Sequence, residues 1–106
     1  MTHTVTISIG RNDGPLTRDL GVAVPMMPHL WDAFQGSVTA VLTATYGTAH
    51  GVGEWDGIAE DTFLVIGQVE NLEEVRAKLA ALAAEFRQDA IGLVAQSGTD
   101  TEVRAA

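Results

Sequence analysis

The 106-residue chain has no cysteine, a single lysine and only three prolines. The first absence excludes disulfides, thiolate nucleophiles and cysteine-ligated zinc or iron–sulfur centres, and leaves the redox compartment open. The shortage of base has a wider consequence, because six basic residues face fourteen acidic ones for a formal charge of −8. Such a surface repels phosphate backbones and anionic headgroups, so neither nucleic acid nor membrane is an expected partner. Long apolar runs are also missing. The opening Met1-Thr2-His3-Thr4-Val5-Thr6-Ile7 has no basic segment ahead of an apolar one, so neither a signal peptide nor a membrane span is expected, and a cytoplasmic location is the default. What is present suits one domain over residues 1–106: 46% hydrophobic residues against 19% charged can build a core without covalent staples.

The element pattern is legible along most of the chain. Val5, Ile7 and Ile9 alternate with Thr4, Thr6 and Ser8, the period of a strand with one buried face. Residues 10–26 gather turn formers without a sustained period and read as a long loop. From Pro28 to about residue 45, Leu30, Trp31, Phe34, Val38, Val41 and Leu42 recur at helical spacing. Asp56-Gly57 is a two-residue type I′ turn signal joining strands Tyr46–Trp55 and Ile58–Val69. That turn sets Trp55 opposite Ile58, Gly53 opposite Glu60, Val52 opposite Asp61, Gly51 opposite Thr62 and His50 opposite Phe63. Asn71 caps a second helix, with Glu74 placed to complete a capping box and Leu72, Val75, Leu79, Leu82 and Phe86 along one face. Ala90 to Ser97 reads as the last strand, and residues 98–106 as a fraying tail. The order βαββαβ, with right-handed crossovers, predicts an α+β ferredoxin-like fold: a four-stranded antiparallel sheet with two helices on one face.

Two helices cover one face of such a sheet, so the other must meet water, a ligand or a second subunit. Gly47, Ala49, Gly51 and Gly53 share one face of the second strand and leave a bare strip for a flat ligand or another backbone. The plainer reading is that they make room for Trp55 and for the helix carrying Trp31 and Phe34. Among the three histidines only His50 lies near carboxylates. Glu54 is four residues on, roughly 13 Å along a strand and too far for a shared metal ion. Asp61 is a diagonal neighbour across the hairpin, so a His50–Asp61 dyad is geometrically available, with a solvated histidine as the simpler alternative. Residues 54–74 hold seven carboxylates and no base, but without calcium-loop spacing, so solvated or capping roles are the first expectation and no metal or cofactor is expected. Glu60 stands apart, because partial cover opposite Gly53 would raise its pKa unless hydrogen bonds offset the burial. Arg11 and Arg18 flank a loop that lacks a phosphate-binding motif.

Trp31-x-x-Phe34, Gly51-x-Gly53-x-Trp55-x-Gly57-x-x-Glu60 and Phe86-x-Gln88-x-Ala90-Ile91 resemble the marks of uncharacterised small ferredoxin-like proteins of actinobacteria and their phages. The resemblance covers residues 5 to 95, implies the fold and carries no established activity. The leading expectation is a non-enzymatic accessory protein that forms a homodimer through the sheet face or binds a protein partner, with Gly51, Gly53 and Trp55 at the interface. The alternative is a small enzyme or ligand-binding protein with a pocket on the helix-free face near His50, Trp55, Glu60 and Asp61. A third reading, an acidic protein that neutralises a basic partner, rests on net charge.

Overall fold

The computed structural model describes residues 2–95 and 100–105, the side chains of Trp55, Asp100 and Thr101 excepted. Strand β1 (His3–Gly10) leads into α1 (Gly14–Leu20) and α2 (Pro28–Thr39). A hairpin of β2 (Ala44–Trp55) and β3 (Ile58–Val69) follows, then α3 (Leu72–Glu85), β4 (Ala90–Ala95) and β5 (Asp100–Arg104). All pairings are antiparallel, in the order β2-β3-β1-β4-β5. The fold is α+β, but among the described residues it has five strands where the expected ferredoxin-like pattern has four, and three helices where that pattern has two.

The hairpin has the register set by its turn. Trp55 pairs with Ile58, Gly53 with Glu60, Val52 with Asp61, Gly51 with Thr62 and His50 with Phe63. Asp56 and Gly57 both take positive φ, 52° and 79°, as a type I′ turn requires. The period of two then sorts β3: Phe63, Val65 and Val69 are buried, while Leu64 and Ile66 lie on the opposite face, 39% and 43% exposed. The buried set joins Val5, Ile7, Ile9, Ile91, Leu93 and Val103 from the neighbouring strands. Trp31, Phe34 and Val38 of α2 and Val75, Leu79 and Ala83 of α3 close over it. Phe34, fully buried, stacks on Phe86 at 4.6 Å, which ties the two helices together over the sheet.

Four expectations are corrected. Residues 10–26 are not one loop: Asp13 caps α1 by accepting the Leu16 N–H at 2.8 Å, Pro15 sits in the first turn, and Gly21 ends the helix at φ 70°. The helix begun at Pro28 stops at Thr39, because Thr43 is already tied to strand β3, its N–H donating to the Gln68 carbonyl at 2.7 Å, and β2 starts at the next residue, Ala44. The tail does not fray over residues 100–104, which pair with β4 and bury Val103. Gln96, Ser97, Gly98 and Thr99, expected to end β4 and begin the tail, lie outside the described residues. Asn71 caps α3 as expected, accepting the Glu74 N–H at 3.0 Å, but the Glu74 side chain pairs forward with Lys78 at 3.1 Å instead of reaching back.

Candidate functional site

At one end of the sheet, on the face that α2 and α3 leave uncovered, lies a cleft of about 300 Å³. Its floor comes from alternate residues of four strands: Gly53 of β2, Glu60 and Thr62 of β3, Ser8 and Gly10 of β1, and Gly92 of β4. Its wall is α1, through Gly14, Thr17 and Arg18, together with Asn12, Gln88 and Asp89. The residues that look bare in the sequence are the ones that admit something here. A Cβ on Gly10 would overlap the Glu60 carboxylate, and one on Gly92 would overlap the Ser8 hydroxyl. Glu60 therefore lies down across β1, and Ser8 across β4, only because the facing residues are glycines.

Drawn in this way, Glu60 is half-buried, and one of its oxygens, Oε2, accepts the Asn12 N–H at 3.0 Å. Burial pushes its carboxyl pKa above the ordinary glutamate value, and the Asn12 hydrogen bond opposes the rise without cancelling it. Six carboxylates line the cleft: Asp13, Glu54, Asp56, Glu60, Asp89 and Glu102. Asp13 is paired with Arg87, and Asp89 with Arg18 at 2.8 Å; both arginines are exposed and held more basic by these partners. Glu102 pairs with Arg104 at 3.0 Å. Glu54, Asp56 and Glu60 form no ion pair with any of the described residues, so the cleft carries uncompensated negative charge. No cluster of metal-ligating side chains is present among the described residues.

The expected site residues separate into two groups. Glu60 and Gly53 meet in the cleft, and Gly51 follows on the same face, its Cβ direction 3.7 Å from the Thr62 hydroxyl. Trp55 ends β2 opposite Ile58; its side chain lies outside the described part of the structure. His50 and Asp61 are on the other face, so the expected grouping of His50, Glu60 and Asp61 in one pocket does not form. Successive residues of a strand point to opposite faces, which puts Asp61 back to back with Glu60. His50 Nε2 meets Gln35 Oε1 of α2 at 2.9 Å, and its ring lies 5.1 Å from Phe63. Asp61 accepts from Arg11 at 3.3 Å. Because α2 lies on that opposite face, the glycine strip does not serve to accommodate Trp31 and Phe34.

Asn12, Gln88, Ser8, Gly10 and Gly92 were not singled out in the sequence as site residues. Asn12 and Gln88 are both 7% exposed and both hydrogen-bonded, and buried amides of this kind mark a fixed polar network once the fold is known.

No protein-family model and no curated protein matches the chain. Among solved structures it is similar to a phage SAM lyase in its apo state, with a TM-score of 0.52 and 17% identity over 97% of this chain and 89% of that one. At that identity the likeness is one of fold.

Proposed function

We propose that the chain binds and acts on a small cationic metabolite in the Glu60 cleft, and that S-adenosylmethionine is the first candidate. The observation that carries this reading is the Glu60 carboxylate: half-buried over Gly10, held by one backbone N–H, and in no ion pair with any of the described residues. Burying an unpaired carboxylate costs free energy, and displaced carboxyl pKa values gather where a ligand supplies the missing charge or where a proton is exchanged. A cleft with surplus negative charge concentrates cations on steric and electrostatic grounds alike.

The similarity to a SAM lyase fits this reading, since S-adenosylmethionine carries a sulfonium, a positive charge that no pH removes. When its carbon–sulfur bond breaks, the electron pair goes to sulfur and a neutral thioether leaves, while the C–H pair on the neighbouring carbon becomes the new carbon–carbon double bond. Glu60 meets the sulfonium charge before cleavage and takes up the one proton that this elimination releases. A cationic ligand favours the ionised carboxylate, so binding strengthens as pH rises through the Glu60 midpoint.

Calorimetry with S-adenosylmethionine, and chromatography of the incubated mixture, test the reading. The wild type should bind it and release a thioether nucleoside. Glu60→Gln should bind at least about tenfold more weakly, the scale of one charge-assisted contact. S-adenosylhomocysteine, which lacks the sulfonium charge, should also bind more weakly. Equal affinity in wild type and Glu60→Gln, or no binding at all, overturns the reading.

A second reading is favoured by Leu64 and Ile66, which leave apolar surface on the uncovered face beside Gly47, Ala49 and Gly51. A second copy of the chain covering that strip would make the protein a homo-oligomer. Light scattering should then give a multiple of 11.2 kDa that Gly51→Leu lowers while the fold persists; a monomer at all concentrations contradicts it.

A further inference from the structure

Three consecutive residues of the α3–β4 connection grip the segment that follows β1. The Arg87 carbonyl accepts the Gly14 N–H at 2.7 Å, and the Arg87 guanidinium pairs with Asp13. Gln88 Nε2 donates to the Asn12 carbonyl at 2.7 Å. Asp89 accepts from Arg18 with both oxygens, at 2.8 and 2.9 Å. The grip holds under local strain, because Arg87 takes φ 57°, a left-handed conformation that costs a non-glycine residue on the order of 1 kcal/mol.

The middle contact differs from its neighbours. Arg87 and Arg18 are exposed ion-pair partners, whereas Gln88 is buried and gives its amide protons to the backbone of a residue 76 positions away. Asn12, which receives that bond, is tied down at two further points. Its side-chain Nδ2 donates to the Ala59 carbonyl at 3.2 Å, and its N–H donates to Glu60 Oε2 at 3.0 Å. Asn12 is thus fixed to the strand that carries Glu60 on one side and to Gln88 on the other.

We propose that Gln88 is a positioning residue for the Glu60 carboxylate, acting through Asn12 to hold the one N–H that orients it in the cleft. The proposal rests on the reading of the cleft as a ligand site only for its functional meaning; the coupling itself is a property of the free protein. The Asn12 N–H is the contact that offsets burial at Glu60, so a displaced Asn12 leaves desolvation unopposed. The other charged groups lining the cleft are Asp13, Arg18, Glu54, Asp56, Asp89 and Glu102, none of which is the residue substituted.

The test is an NMR titration of the Glu60 side-chain carboxyl in the wild type and in Gln88→Met, which fills a similar volume and has no donor. The expected result is a higher Glu60 midpoint in the variant, a gain in proton affinity of about threefold or more for one weakened hydrogen bond. Leu82→Ala, a destabilising change on α3 away from the cleft, should leave the Glu60 midpoint where it is. An unmoved midpoint in folded Gln88→Met, or an equal movement in Leu82→Ala, overturns the proposal. Should Gln88→Met not fold, Gln88→Asn, which keeps the amide but shortens its reach, is held to the same two outcomes. Failure of S-adenosylmethionine to bind the wild type would instead remove the functional reading and leave this coupling to stand or fall on the titration.

Discussion

Glu60 and Asp61 are neighbours in one strand, chemically almost the same, and placed in opposite circumstances. Glu60 points to the face that α2 and α3 leave uncovered, is drawn over Gly10, meets a backbone N–H and no ion-pair partner among the described residues, and is held more basic than an ordinary glutamate. Asp61 points to the other face, its side chain 58% exposed, and pairs with Arg11. Residue type does not separate the two; strand period and the residue opposite do. A glycine across the ladder lets a carboxylate fold inward, and an arginine with open water beside it keeps one outside.

The sharpest way to break the contrast is at Gly10. Gly10→Ala places a methyl where the Glu60 carboxylate lies. It should expel Glu60 toward solvent and return the carboxyl to an ordinary midpoint, with little loss of stability, because the atoms displaced are the free end of a flexible side chain. Urea unfolding and the Glu60 carboxyl chemical shift read both effects.

Glu60→Gln sharpens the contrast from the other side. A group whose folded-state pKa is raised contributes its stability below the unfolded carboxylate range and loses it as pH rises through its own, higher midpoint. Glutamine imitates the protonated state and can still accept the Asn12 N–H. The variant should therefore melt above the wild type at neutral pH, and the gap should close as pH falls below the ordinary carboxylate range. A gap that stays constant with pH contradicts the assignment.

The smallest effect belongs to Asp61→Asn. It removes a surface ion pair with Arg11, so stability should change by about 0.5 kcal/mol or less, with ligand binding unchanged. A large loss of binding in this variant would place the site on the wrong face of the sheet.

Part of this contrast is legible in the sequence. Asp56-Gly57 fixes a two-residue turn, the turn fixes the register, and the register puts Gly53 opposite Glu60; the cover itself comes from the other side, over Gly10 of β1, a neighbour that the hairpin does not announce. Two things were not legible there: which face the helices would take, and that Gln35 of α2 would reach His50. The diagonal His50–Asp61 relation was read on the correct common face of the hairpin, but that face belongs to α2, not to the cleft. α1 escaped because seven residues are too short to show a period, although Asp13, Pro15 and Gly21 are its start and stop signals. β5 escaped because Val103 is its one buried apolar residue, and a pairing with β4 has no local sequence signature. Asn12 and Gln88, 76 residues apart, become partners only when the α3–β4 connection closes against the end of β1.

The most direct test of the cleft as the ligand site is an amide NMR titration of the wild type with S-adenosylmethionine at neutral pH. The expected result is a set of shifted signals confined to Gly10, Asn12, Gly53, Glu60, Gln88 and Gly92, with His50 and Asp61 unmoved. Shifts gathered around His50, Gln35 and Asp61 instead, or none at saturating ligand, would contradict it.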